Sequence, residues 1–407
     1  MHNPEQGTFN MRVAITTTDN REQFKKYDLE APWLSSPIEV LLQPFQAAGI
    51  EVHIVSCARR RMRSPERLGP KIFFHSLYVP KWGWLRTGYQ GCIRATRKKL
   101  REIQPDVVHG QGTEHDCALN AVFSGFPNVV TIHGNMAEQA RLFRPPVGSY
   151  GWLTARLETF ALKRTLGVFC NSLYTEQLVK PRARRVWRVA NALREPFFSP
   201  PSAPQQPVRC TLLNVGYPGP RKRQLELLDV VNELRLQGLS FEFQFVGDIQ
   251  PTHPYGVTLL ERVKPLEKEG LVRCLGVKTA NELVRMFDAA AAMVHFPMEE
   301  SFGLVVAEAL ARDLKLFGSH LGGIADIAGG VPGVELFAVN DWRGLTSAIA
   351  AWIRVGFPRA QGAAQLMRAR YHPEVVAKRH LEIYQEVLRG SDKARGPSRS
   401  HSTQSKA

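Results

Sequence analysis

Residues 291–308 read AAMVHFPMEESFGLVVAE. The apolar run over 291–297 predicts a buried strand that ends at Pro297, and Ser301 stands ready as an N-cap before a second apolar segment at helical spacing. Gly303 lets another group approach the backbone where the helix begins, and the first amides of a helix lack intrahelical partners. A strand, a tight turn and a helix in succession are the building unit of a parallel sheet, so the stretch predicts an α/β fold.

Working outward, the same unit recurs. CTLLNVG (210–216), the helix-like RQLELLDVVNELRLQG (223–238), FEFQFVG (241–247) and VRCLG (272–276) precede it, and LKLFGS (314–319) follows. Further upstream, PFFSPPSAPQQP (196–207) holds five prolines, too many for a helix interior or a central strand, and marks a domain boundary. Before it the alternation appears again. RVAI (12–15) and Val52, Ile54 and Val55 bracket a helix over 38–48, and PDVVHG (105–110), NVVTIH (128–133), LGVFCNS (166–172) and RRVWRVAN (184–191) complete the series. The fold class expected is therefore α/β, with two doubly wound Rossmann-like domains facing a cleft, where the carboxyl ends of such sheets bind ligands. The boundaries expected are 11–195 for the first domain, 196–208 for the linker and 209–374 for the second. A crossover helix over 375–389 returns to the first domain, and the polar, Ser-rich 390–407 reads as a disordered tail.

Composition narrows the class. The 407 residues are 44% hydrophobic and 22% charged, which excludes wholesale disorder or a collagen-like repeat. Lys and Arg outnumber Asp and Glu by 53 to 37, a net charge of +16 that favours phosphates, nucleic acid or an anionic membrane face. Six cysteines lie scattered without a CxxC pair, so neither a zinc cage nor a redox dithiol is indicated. The polar first ten residues and the lack of any apolar run of about 18 residues point to a cytoplasmic chain whose membrane contact, if any, is peripheral.

The turn after Pro297 is the candidate site. It offers backbone amides to an anion, and Glu300 and Glu308 offer carboxylates to sugar hydroxyls beside a phosphate. Ser319-His320-Leu321-Gly322-Gly323-Ile324-Ala325-Asp326 follows, and its paired glycines permit another close backbone approach.

Glu300-x7-Glu308 enclosing Ser301-Phe302-Gly303, and then Gly322-Gly323, resembles the retaining nucleotide-sugar glycosyltransferases of the GT-B fold, the family 4-like, group 1 enzymes. The resemblance extends through PDVVHGQG (105–112), VVTIHG (129–134), VANALREPFF (189–198), LLNVGYPGPRKRQLELL (212–228) and YHPEVVAKRHLEIYQEVL (371–388). It implies that Glu308 binds the nucleotide ribose, that Glu300 lies near the donor sugar as a catalytic acid residue, and that the backbone of Phe302, Gly303, Leu304 and Val305, next to Ser301, meets the diphosphate or sugar. It further implies that Lys222 neutralises the leaving diphosphate and that catalytic His133 faces the anomeric carbon. Gly216, Tyr217 and Arg221 belong to the opening turn of the donor site, and the turns at Gly247 and at Gly276-Val277 border the base.

No metal and no other cofactor is expected from the resemblance, because helix amides and basic side chains take over the role of Mg²⁺. Three positions depart from the pattern. Tyr217 stands where an arginine is usual, leaving Arg221 or Arg223 to supply the charge; Ser36-Pro37-Ile38-Glu39 replaces Gly-Gly-x-Glu; and Asp326 replaces a glutamate.

From Arg59 to Arg101 thirteen basic residues face one acid, Glu66, with Phe73, Phe74, Tyr78, Trp82, Trp84 and Tyr89 interleaved. That mixture suits an anionic membrane surface and also nucleic acid, with a soluble basic face whose aromatics are core as the plainer alternative. His109 and His295 read as packing residues, and Glu114 and His115 either touch an acceptor or simply lie in a loop. The function expected is transfer of a sugar from a nucleotide-sugar donor to a glycan or lipid-linked acceptor, with retention, in bacterial cell-surface polysaccharide or lipopolysaccharide synthesis at the inner face of the cytoplasmic membrane. The rivals are a non-catalytic binding subunit of a polysaccharide assembly and a nucleic-acid-binding protein. The second lacks any reading motif, so no nucleic acid partner is expected.

Overall fold

The computed structural model describes residues 11–200 and 207–395. The first ten residues, the middle of the expected linker and the tail beyond 395 lie outside the described residues. Two compact units divide the chain: one takes the residues up to Phe169, Leu178–Val189 and the chain from Ala377, and the other takes Cys170–Gln177 and Ala190–Val376.

The first unit is built on eight strands, β1 (Arg12–Thr16), β2 (Glu51–Ala58), β3 (Arg67–Gly69), β4 (Ile72–Tyr78), β5 (Val107–Gln111), β6 (Asn128–Ile132), β7 (Val168–Cys170) and β8 (Val186–Arg188), in the order β3-β4-β2-β1-β5-β6-β7-β8. The ladders from β4 to β6 are parallel and β3 joins β4 antiparallel. Every residue of β5 and β6 is buried, as expected where helices cover both faces of a parallel sheet. Helix Pro373–Arg395 closes this unit. His109 Nδ1 meets the Tyr384 hydroxyl at 2.5 Å, and Glu386 accepts from Trp187 Nε1 at 3.0 Å.

The second unit carries β9 (Thr211–Val215), β10 (Glu242–Val246), β11 (Val272–Cys274), β12 (Ala292–His295), β13 (Lys315–Ser319) and β14 (Val334–Phe337) in the order β11-β10-β9-β12-β13-β14, all parallel. Stepping outward from β9 in both directions places the reversal of strand order between β9 and β12. That is where a doubly wound sheet opens a crevice at its carboxyl edge.

Two sequence expectations differ from the structure, and three strands add to those expected. The changeover set at 196–208 comes earlier, because Leu193, Phe197 and Phe198 are buried in the core of the second unit and the Leu193 amide donates to the Tyr371 carbonyl at 2.9 Å. Apolar burial outweighs the prolines around them. Residues 390–395, expected in the tail, are instead the last turns of the closing helix, which runs to Arg395. Strands β3, β4 and β14 were not read from the sequence: β3 and β4 fall in the basic stretch, and the four residues of β14 are only half-buried at a sheet edge.

Candidate functional site

The second unit carries its expected site residues mainly in the turns that leave β9, β12 and β13, with Gly247 and Val277 in those after β10 and β11. After β9, Gly216 has φ 150°, and the β10 turn presses against it. A Cβ on Gly247, itself at φ 151°, would meet the Gly216 carbonyl oxygen at 2.1 Å. Tyr217 is 61% exposed beside them. The turn then carries Arg221 and Lys222 toward the turn after β12: the Met298 amide donates to the Arg221 carbonyl at 2.9 Å, and Arg221 Nη1 meets Glu299 Oε2 at 2.8 Å. Arg223, with φ 58°, turns away to the Val339 carbonyl and Asn340, so of the two arginines only Arg221 stays beside the acidic turn.

At the centre Lys222 Nζ is paired with Glu300 Oε2, and His295 Nε2 lies 3.3 Å from the same oxygen. Both members of the ion pair are largely buried, with side chains 15% and 12% exposed. Burial alone would raise the Glu300 pKa, but Lys222 and His295 outweigh it and hold the carboxyl well below its ordinary value. Burial lowers the His295 pKa and keeps the ring neutral. Its Nε2 then donates to the carboxylate, which leaves Nδ1 as a bare acceptor, buried without a partner. The sequence reading of His295 as a packing residue is therefore corrected. The ring belongs to the polar cluster because β12 ends on it.

Ser301 is not the N-cap that the sequence indicates. The cap of helix Leu304–Leu310 is Gly303 at φ 99°, with no side-chain cap. Ser301 Oγ instead donates to Glu299 Oε1 at 3.1 Å, because Glu299 is only 2% exposed in its side chain and needs donors. The Ser301 carbonyl accepts from Ser172 Oγ at 2.6 Å, a contact that ties Cys170–Gln177 to this unit. Phe302 is buried edge-on against Tyr371, while Leu304 and Val305 in the first helical turn are half-buried.

The paired glycines serve the protein's own backbone. A Cβ on Gly322 would lie 2.3 Å from the Glu300 carbonyl oxygen, and one on Gly323 2.3 Å from that of Phe302. The Gly323 amide donates to the Glu300 carbonyl at 2.9 Å. This packing fixes the turn that holds Glu300, which is a different use from the ligand approach expected. Asp326 accepts from the Tyr174 amide at 3.1 Å, Ser319 Oγ donates to the Pro297 carbonyl, and the His320 amide donates to Phe337.

Glu308 lies deeper, on the buried face of its helix, and meets Arg194 Nη2 at 3.1 Å. Burial raises its pKa to about 7, against the lowering pull of Arg194. The Arg194 guanidinium also lies 5.2 Å from the Phe197 ring centre. At the far side of the sheet Gly276 takes φ 66°, accepts from the Gly247 amide at 3.0 Å, and leaves Val277 65% exposed.

In the first unit the carboxyl ends of β5 and β6 meet. His133 Nε2 donates to Gln111 Oε1 at 3.0 Å, and Nδ1 is buried without a partner. Burial lowers its pKa, so the ring is neutral with an open acceptor. Glu114 is a brace here, since its carboxylate accepts from the Thr113 and Gly134 amides at 2.8 and 2.7 Å. Glu158, missed in the sequence, is fully buried under Thr113, Met136, Ala137 and Arg182, all of which donate to it. His115 lies 3.5 Å from the Tyr150 hydroxyl. His109 is a buried packing residue between Tyr384 and Thr131, as expected. Ser36 and Pro37 open helix Ser36–Ala47, where a proline loses no helical hydrogen bond. Cys57, Cys92 and Asp116, distant in sequence, lie within 4.8 Å of one another in the core.

Arg194, Glu299, Glu158 and Gln111 are the polar residues that sequence reading passed over. Arg194 and Gln111 stood inside stretches already singled out, and Glu299 directly before Glu300. Only the partner, distant in sequence, gives each its role.

Known proteins share this architecture. The chain superposes on sucrose-phosphate synthase from Thermosynechococcus elongatus with a TM-score of 0.70 at 17% identity, covering 94% of this chain and 100% of that one. Anabaena HepE in complex with UDP-glucose gives 0.68 at 14% identity, with 93% and 100% covered. The lipopolysaccharide outer core galactosyltransferase WaaB in its apo form gives 0.65 at 15% identity, with 92% and 100% covered. At such identities the likeness concerns the fold. No curated protein matches by sequence. Family descriptions do match: residues 38–192 match glycosyltransferase family 4, and residues 209–354 match glycosyl transferases group 1. With both units matched and the fold shared, the chain belongs to the group 1 glycosyltransferases of the GT-B fold.

Proposed function

We propose that this glycosyltransferase takes its sugar from a nucleotide-sugar donor, bound at the carboxyl edge of the second unit, and passes it with retention to a glycan or lipid-linked acceptor. The observation that carries the reading is the Lys222–Glu300–His295 cluster at the reversal of strand order. Departure of a nucleoside diphosphate breaks the bond between the anomeric carbon and a phosphate oxygen and builds negative charge on that oxygen. Lys222, Arg221 and the amides of the Gly303–Val305 turn are the groups positioned to stabilise it. The acceptor oxygen bonds to the anomeric carbon, and its proton passes to the departing phosphate oxygen. Glu300 and the bare Nδ1 of His295 accept from sugar hydroxyls, while Glu308 accepts from the ribose. His133, in the first unit, offers its Nδ1 to a hydroxyl of the sugar or acceptor.

Positive charge from Lys222 and Arg221 supports a metal-independent step, for which undiminished transfer in EDTA is the check. Synthesis of a bacterial cell-surface polysaccharide or lipopolysaccharide is the setting proposed.

The donor test is thermal unfolding with a panel of UDP-, GDP- and ADP-sugars, UDP-glucose first because HepE was solved with it. A donor at about a hundredfold its Kd adds about 2.7 kcal/mol to stability, and no stabilisation by any of the panel sinks the reading. If Glu300→Gln leaves glycan assembly in cells intact, the chain acts instead as a non-catalytic subunit.

A further inference from the structure

The basic, aromatic stretch over 59–101 does not form one face. Phe74, Trp84 and Tyr89 are buried in the core, whereas Tyr78 and Trp82 are 47% and 68% exposed. Helix Gln90–Ile103 carries Arg97, Lys98 and Arg101 away from them. Its last carbonyls lie at the amino edge of the sheet, where Arg12 Nη1 donates to Ile103 at 2.7 Å.

What remains gathers at the opposite, carboxyl edge, and a segment the composition did not single out joins it. The segments leaving β1 and β2 are knotted by one buried ion pair. Arg21, bonded to Asp19, also donates to the carbonyls of Leu29, Glu30 and Arg63 and to Ser64 Oγ. Ala58 and Tyr78 are register neighbours at the ends of β2 and β4. Arg60 then lies over the Tyr27 ring at 5.0 Å and Arg61 over Tyr78 at 5.3 Å, and Phe24 stacks on Trp33 with ring centres 5.0 Å apart. Over 24–33, 59–64 and 78–88 eight exposed Lys and Arg face two exposed acids, Asp28 and Glu30.

We propose that this edge of the first unit docks on an anionic lipid bilayer, with Phe24, Trp33, Tyr78 and Trp82 at the headgroup boundary and Lys25, Lys26, Arg60 and Arg61 against the lipid phosphates. Charge complementarity and interfacial aromatics both favour that partner. Single-stranded nucleic acid is the poorer fit. Base stacking needs open ring faces, and here Phe24 and Trp33 cover one another while Tyr27 and Tyr78 are capped by arginine. The same edge ends β5 and β6 and holds His133, so docking brings that edge to the leaflet in which a lipid-linked acceptor is anchored. The inference names a partner for the function proposed above and rests on that reading only for its purpose, because binding to lipid needs no nucleotide sugar.

The experiment is co-sedimentation of the full chain with vesicles of phosphatidylcholine alone or with added phosphatidylglycerol. Binding is expected only with the anionic lipid. At about fivefold per charge, K25Q/K26Q/R60Q/R61Q lowers the partition coefficient several hundred-fold. Trp82→Ala, a single exposed change, weakens it several-fold with the charge retained. R97Q/K98Q/R101Q, at the amino edge, leaves it unchanged. Circular dichroism verifies the fold of each variant. No binding to anionic vesicles overturns the proposal. So does equal loss in the amino-edge variant, which would make net charge the cause, or displacement of the vesicles by a stoichiometric single-stranded oligonucleotide. Donor stabilisation in the thermal assay is read separately, so failure here leaves the transfer reading standing.

Discussion

Glu308→Gln offers a quantitative test of the buried acid. The Glu308 side chain is 8% exposed, and burial lifts its pKa from 4.5 to about 7. A group whose pKa is raised on folding stabilises the folded chain below its unfolded pKa, and that contribution vanishes as pH rises through the folded one. At about 1.36 kcal/mol per pKa unit, the contribution that Glu308 makes at pH 5 is about 2.5 kcal/mol larger than at pH 8. Two other titrations are separable. Glu300, with its pKa lowered, loses its contribution only as pH falls below the unfolded carboxylate value, outside this window. The buried histidines His109, His133 and His295 have lowered pKa values and lose stability as pH falls below about 6.5, but they do so equally in both proteins. The stability of Glu308→Gln relative to the parent is therefore expected to rise by about 2.5 kcal/mol from pH 5 to pH 8. The assay is urea unfolding at the two pH values, read by hydrogen exchange of the β9 and β12 amides, which report the second unit alone. A relative stability that stays flat between pH 5 and pH 8 would refute the claim that Glu308 is held partly protonated by burial.

Two further outcomes follow from the same site. Lys222→Met leaves Glu300 buried without its cation and is expected to cost about 3 kcal/mol of stability and at least a hundredfold in transfer rate. Adding Glu300→Gln restores much of the stability but none of the rate, which a double-mutant cycle with kinetics checks. Gly323→Ala forces a methyl group within 2.3 Å of the Phe302 carbonyl and should cost roughly 2–3 kcal/mol, whereas Gly276→Ala, strained in φ but facing open space, should cost about 1 kcal/mol; comparative unfolding curves distinguish them.

Much of this molecule was legible in one dimension. The strand ending at Pro297, the restart after the proline-rich segment and the acids at Glu300 and Glu308 are written as local patterns, and the structure has strands β9 to β13 close to where those patterns lie. The misreadings share a cause. Ser301 has the chemistry of an N-cap, but buried Glu299 claims its hydroxyl. Phe197 and Phe198 sit among prolines, yet the core of the second unit takes them in. Gly322 and Gly323 look like ligand-facing glycines until the Glu300 and Phe302 carbonyls occupy the space.

Periodicity and turn residues are properties of neighbours along the chain, so the sequence alone determined the α/β class, the doubling of the sheet and the strand-to-helix turn that carries Glu300. Charge state and partnership depend on what is brought alongside from a distance. Only the tertiary structure decided that Lys222 and His295 hold Glu300 ionised, that Arg194 lies against Glu308, and that the aromatics among the basic residues part into core and surface. The physical reason is that a carboxylate's pKa and a ring's exposure are fixed by desolvation and by charges a few ångströms away, and those neighbours lie 78 residues away for Lys222 and 114 for Arg194.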